Sequence, residues 1–165
     1  ACRLWMRPHV SLPSVWEEEH FNRVKALRKE GLKHLQKEHF KALAKIAGRG
    51  IVLDPEFADF YYFRACVRFS EDDRTGALLD LITARDLDRR GHRQKSEFRR
   101  LMIDIIEKND VPYFNAQAFV NASDGYGPFG RELFLDHVHF TRKAHEMIGD
   151  QFLKLLQQEK IIPLE

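Results

Sequence analysis

The feature that most constrains this 165-residue chain is that it resembles itself at an offset of 34 positions. The shift lays Leu27 on Tyr61, Gly31 on Ala65, Leu43 on Ala77, Ala47 on Leu81, Gly50 on Ala84, Leu53 on Leu87 and Asp54 on Asp88. A period of this length is that of a helix-turn-helix unit, which cannot bury its apolar face alone and stacks on a neighbour. The small residues have a physical task, because paired helices approach closely only where side chains are short. Two copies are fewer than the three or so that make a free-standing array, so the pair is expected to lean on other parts of the chain.

Local signals place the elements. Residues 1–14, with Pro8 and Pro13, hold no steady period and read as an extended lead-in. Ser14-Val-Trp-Glu17 has the form of a capping box, so a first helix is expected from there to about Leu35. Trp16, His20, Val24, Leu27, Gly31 and Leu35 draw its apolar stripe. Further helices are expected over about 38–49, 55–69 and 73–87, with Asp54 capping the third and Pro55 in its first position. Phe57, Phe60, Tyr61, Tyr62 and Phe63 belong to the core of these repeats. The repeat region spans 15–88, and its small/large pattern is similar to the tetratricopeptide repeat. The second copy, with Ala65, Ala77 and Ala84, follows that pattern more closely than the first, with Gly31, Gly50 and Pro55.

Beyond Asp88 the period changes. A basic connector, 89–95, leads to a helix over 96–108 with Phe98, Leu101, Met102, Ile105 and Ile106 on one face. Val111-Pro-Tyr-Phe-Asn-Ala116 is β-favouring and bounded by Asn109-Asp110, which predicts a strand. A glycine-bearing loop over 121–130, the short apolar Leu133-Phe-Leu135 and a last helix over 141–158 follow, the helix carrying Ala144, Ile148, Phe152 and Leu155 on one side. The expected fold is mainly α: helical repeats, then a helix-strand-helix segment of α/β type over 89–165.

Charge and composition exclude several functions. The 32% of charged residues nearly cancel, at +2, and the basic connector lacks interleaved aromatics and is offset by Asp86, Asp88 and Glu97, so no nucleic-acid partner is expected. No stretch reaches the ~18 apolar residues of a membrane span. Two lone thiols form no disulfide framework, and Cys66 is expected to pack as a small hydrophobe. The chain opens on Ala1 without an initiator Met and reads as a processed or excised piece.

The chemistry gathers in Leu133-Phe-Leu-Asp136-His-Val-His139-Phe-Thr141. In a tight turn ahead of a helix, Asp136 is expected to accept the Nδ1 hydrogen of His139 and present its other ring nitrogen as a general base. His137, His139, His145 and Asp136 are also permissible metal ligands, but His145 falls a turn into the last helix and no fourth ligand is evident. No metal or other cofactor is expected.

This block, with the helix that follows it, resembles the last block of the SGNH (GDSL-type) hydrolases. The helix over 96–108, Val111-Pro-Tyr-Phe114 and the loop ending in Gly130-Arg-Glu-Leu-Phe134 are similar to that family's approach to it, and some members resemble this chain in carrying a tetratricopeptide-like insertion, with a phrase similar to Ala84-Arg-Asp-Leu-Asp88 and a downstream Arg93. The resemblance covers most of residues 16–158 and implies a flavodoxin-like three-layer α/β fold acting on an ester substrate, with Asp136 and His139 as two members of a Ser-His-Asp triad. The family's Gly-Asp-Ser-like block is not in this chain. Ser123 precedes Asp124-Gly125 instead of following it, and Glu107-Lys-Asn-Asp110 lacks the glycine of the family's Gly-x-Asn-Asp segment. The implied function is the C-terminal part of an ester hydrolase whose serine lies elsewhere, so the chain alone is expected to be inactive. The alternative is a non-catalytic repeat module offering a groove to a peptide or protein partner. An unpaired strand over 111–116 would add an apolar edge prone to self-association.

Overall fold

The computed structural model describes residues 12–89, 94–122, 133–135 and 139–163. It contains, among these, seven helices: α1 (Glu18–Gln36), α2 (Phe40–Leu53), α3 (Ala58–Ser70), α4 (Arg74–Leu87), α5 (Ser96–Lys108), α6 (Ala116–Ala122) and α7 (Arg142–Gln158). The protein is mainly helical, and it divides into two compact units, residues 1–96 and 97–165.

In the first unit the 34-residue period is a period of backbone geometry. Shifting α2 by that amount reproduces the bounds of α4, and Glu38 and Asp72, which correspond, both take the left-handed conformation at φ 57° and 61°. The hydrogen bonds repeat as well: His39 N–H donates to the His34 carbonyl at 3.0 Å and Asp73 N–H to the Arg68 carbonyl at 2.9 Å. Each first helix of a pair therefore ends in the same closing motif, with a charged residue where glycine is usual.

The second pair docks on the first through aromatic rings. Phe57, Phe60 and Phe63 are all buried, with neighbouring ring centroids 4.9 and 6.3 Å apart. Phe63 lies against Gly31 and Phe60 against Gly50, so closely that neither glycine has room for a Cβ. Val24, Leu27, Leu35, Leu43, Ile46 and Ala47 complete the core. One period earlier than the three phenylalanines stand Arg23, Ala26 and Lys29, all exposed, which gives α1 the polar outer face of a terminal repeat. Tyr62 and Cys66 are buried as expected of core residues, while Tyr61 is half-buried.

Buried charges tie the helices where apolar side chains would otherwise meet. Arg28 Nε donates to Asp59 at 3.0 Å from α1 to α3. Asp80 on α4 receives two bonds from Arg64, at 2.8 and 2.6 Å, and an ion pair from Arg68 at 3.1 Å. The bond to Asp80 raises the pKa of Arg64 above its ordinary value.

Two local expectations change here. Ser14 does not cap α1: helix α1 begins at Glu18 after Glu17, which makes no side-chain cap, and the Ser14 amide donates to Asp54 at 2.8 Å. The carboxylate of Asp54 is fully buried and must collect donors, and this requirement outweighs the local capping pattern. For the same reason Pro55 does not open α3. Asp54 accepts the Glu56 amide at 3.1 Å in an Asx turn, and α3 starts at Ala58.

In the second unit α5 has the expected bounds, yet none of its residues is buried. Phe98, Leu101, Met102 and Ile105 are between 44% and 61% exposed. The strand expected over 111–116 is not formed: residues 111–115 are irregular and α6 begins at Ala116. Pro112 offers no ladder amide, and among the described residues no second strand faces this segment, so its backbone gains nothing from extension. The Asn115 side chain instead accepts from Ala118 N–H at 2.9 Å and starts a helix. The Arg99 guanidinium holds the junction, donating to Asn115 at 2.9 Å and to Gln117. Val111 and Tyr113 are 49% and 42% exposed, but no strand edge is present there. Among the described residues of this unit only Leu133 and Ala144 are buried.

Candidate functional site

The segment ahead of α7 is built from a single antiparallel bridge between Phe134 and Phe140. Leu135 N–H donates to the His139 carbonyl at 2.8 Å and Thr141 N–H to the Leu133 carbonyl at 3.0 Å. This is the pattern of a non-hydrogen-bonded pair, the arrangement that brings facing side chains closest, and the two phenylalanine rings meet at a tilt of 37° with centroids 4.9 Å apart. Buried Leu133 anchors one end. At the other, the Thr141 hydroxyl accepts the Ala144 amide at 3.3 Å and caps α7. The helix thus starts immediately after the bridge.

His139 sits one residue before Phe140, at an exposed position two residues ahead of Thr141, which caps α7. Side chains alternate along extended backbone, so His139 and Leu135 project from the face opposite the phenylalanine pair, and both are exposed. Asp136, the expected orienter of His139, and His137 lie outside the described residues, as do Ser123, Arg93 and Cys2. His145 is described and exposed: its Nδ1 donates to the Thr141 carbonyl at 3.0 Å, and its ring meets Phe140 edge-on at 5.7 Å. Among the described residues no group of three or more His, Cys, Asp or Glu is placed to hold a metal ion.

A second histidine–carboxylate pair was not legible in the sequence. His20 Nε2 lies 3.1 Å from Asp54, in the first unit. Burial pushes the Asp54 carboxyl up, but hydrogen bonds from His20, Ser14 and Glu56 outweigh it and hold the group below the ordinary carboxylate value of 3.8. Asp86 behaves similarly: desolvation raises it, and bonds from Ser96 and Arg85 bring it below that value. Both pairings fasten helix ends. A shallow groove between α1 and α2 is lined by Ala26, Glu30, Gly48, Arg49 and Val52, and Val52 in it is 86% exposed.

No helix among the described residues is long and apolar enough to cross a membrane. Set beside protein-family models, curated proteins and solved structures, the chain matches none of them.

Proposed function

We propose that this chain is the C-terminal part of an SGNH-type ester hydrolase, with a tetratricopeptide-like helical insertion over 15–88 and its serine nucleophile outside these residues. His139 is the general base and Asp136 its orienter. The observation that carries the reading is the run Leu133–Thr141: a bridge closes on Phe134 and Phe140, His139 is exposed beside it, and a capped helix follows at once. An imidazole there can take the proton of a hydroxyl nucleophile and return it to the leaving alcohol. The second unit fits the same reading, since Leu133 and Ala144 are the buried positions among its described residues, which suits a segment that packs within a larger apolar assembly. This chain supplies no oxyanion donors that match the family's, which makes it inactive alone.

The test is hydrolysis of a short-chain aryl ester by the complete reading frame and by its His139→Ala variant. The expected result is a loss of at least about a hundredfold, the usual worth of a positioned base. Equal rates would remove His139 from the chemistry.

A second reading, a non-catalytic module that binds a peptide or protein, is favoured by the hydrogen-bond period of the two helix pairs and by the groove between α1 and α2. Binding to a partner that is abolished by Val52→Glu, with ester hydrolysis absent from the complete frame, would select it.

A further inference from the structure

We infer that the groove between α1 and α2 is a docking site for an acidic peptide segment, with one apolar side chain seated over Gly48 and flanking carboxylates held by Arg23 and Arg49. The inference rests on the second reading above and names the chemistry of its partner. No residue of α3 or α4 lines this groove, so the second helix pair leaves it open.

Gly48 marks where the side chain goes. α1 and α2 hold three glycines, and each weakens the helix that carries it. Two of them have a packing reason, since Phe63 fills the space over Gly31 and Phe60 the space over Gly50. Gly48 has no such neighbour: among the described residues a Cβ there would meet nothing within 4 Å, and Gly48 lies on the exposed side of α2. Ala26 and Val52 extend the same floor, and Val52 is 86% exposed. A helical glycine in this unit seats a side chain from a neighbouring element, and the groove over Gly48 has room for the same contact.

Charge decides what surrounds that side chain. α2 carries Lys41, Lys45 and Arg49 and neither aspartate nor glutamate. The three stand one turn apart on its exposed side, and none forms an ion pair with a described residue. Arg23 lines the groove from α1 and is unpaired in the same sense, so that the two lining arginines outweigh the lining carboxylate, Glu30. This excess of positive charge beside an apolar floor disfavours a second copy of the same face and attracts a partner with carboxylates on both sides of its apolar side chain. Arginine suits the role, because its planar fork grips a carboxylate through two hydrogen bonds. A flat anionic surface would satisfy the cations but leave the groove over Gly48 unfilled, which favours a peptide over a membrane.

The test is selection of a random peptide library on the full 165-residue chain, followed by fluorescence anisotropy of the enriched peptides made synthetically. Enriched sequences should carry an aromatic or large aliphatic residue flanked by Asp or Glu. Their affinity should fall at least about tenfold in Gly48→Leu and in Arg49→Glu, and also when salt is raised from about 0.05 to 0.5 M. Gly48→Leu places its side chain in open space, so a thermal transition that is not lowered identifies the loss as one of binding. Lys154→Glu, an equal change of charge on α7, should leave binding unaltered. A library from which nothing is enriched, or only basic sequences are, overturns the inference. Neutral apolar peptides lost in Gly48→Leu but not in Arg49→Glu overturn it while leaving the groove reading in place. Peptides that bind Gly48→Leu and Val52→Glu as tightly as the native chain remove that reading as well. Adsorption to phosphatidylserine vesicles, or self-association in sedimentation, that Arg49→Glu abolishes while no peptide binds also overturns the inference. Ester hydrolysis by the complete frame depends on none of these outcomes, so the hydrolase reading stands or falls separately.

Discussion

Gly31 lies directly beneath the ring of Phe63, one full helix pair away in sequence, with no space between them for a methyl group. Gly50 stands in the same relation to Phe60. These two contacts are where the second helix pair is seated on the first, and they convert a sequence period into a packed interface.

Glycine in a helix is otherwise unfavourable, by about 1 kcal/mol against alanine. Gly31→Ala and Gly50→Ala should nevertheless destabilise the protein, by roughly 1–3 kcal/mol, because the added Cβ must displace a buried ring. Gly48, exposed on the same helix as Gly50, has nothing within 4 Å of its added Cβ. Gly48→Ala should therefore stabilise by about 0.5–1 kcal/mol. Urea unfolding of the three variants checks the opposite signs.

Asp80 gathers two arginines at one buried carboxylate. Asp80→Ala removes the anion and leaves Arg64 and Arg68 facing each other without it. Breaking a buried pair costs about 3–5 kcal/mol, and because both guanidinium side chains are about a third exposed the expected loss is nearer ~2 kcal/mol. A smaller loss in Arg68→Ala than in Asp80→Ala, measured by denaturant midpoint, follows from the two bonds that Arg64 retains.

The folded-state pKa of Asp54 lies below its unfolded value, so its contribution is present at neutral pH and is lost as the pH falls through the acid range below 3.8. The native chain should lose stability there faster than Asp54→Asn, whose side chain does not titrate. Thermal transitions recorded between pH 2 and 5, a window taken from the carboxylate range, test this: parallel curves for the two chains would contradict it.

The face of α5 formed by Phe98, Leu101, Met102 and Ile105 is open to solvent. Exposed apolar stripes of this size bind hydrophobic dyes and promote association. The chain should bind such a dye in its native state, and Leu101→Glu with Ile105→Lys should remove most of the signal without moving the melting transition of the first unit. A native chain that sediments as a clean monomer and binds no dye would contradict this expectation.

Sequence alone determined the elements whose code is local. The 34-residue offset locates both helix pairs, the apolar stripes fix α5 and α7 nearly to their bounds, and Gly31, Gly50 and the phenylalanines of α3 are recognisable as core by size and spacing. The helix that follows the Asp136–His139 run was legible in the same way, within a residue of its expected start, while Asp136 lies outside the described residues. What only the tertiary structure decided were the partners of polar groups and the fate of weak elements. Ser14 satisfies Asp54 instead of α1, and four helices end on left-handed Glu38, Asp72, Asp110 and Lys160, where no glycine announces the stop. Residues 111–115 carry a β-favouring composition, yet a strand exists only where another chain segment completes its ladder, and none does so among the described residues. The physical reason lies in what each feature needs. Periodicity is a property of neighbours in sequence, whereas a buried carboxylate or a strand is settled by whichever distant group can satisfy it, and these helix ends are closed by backbone hydrogen bonds that no side-chain pattern marks.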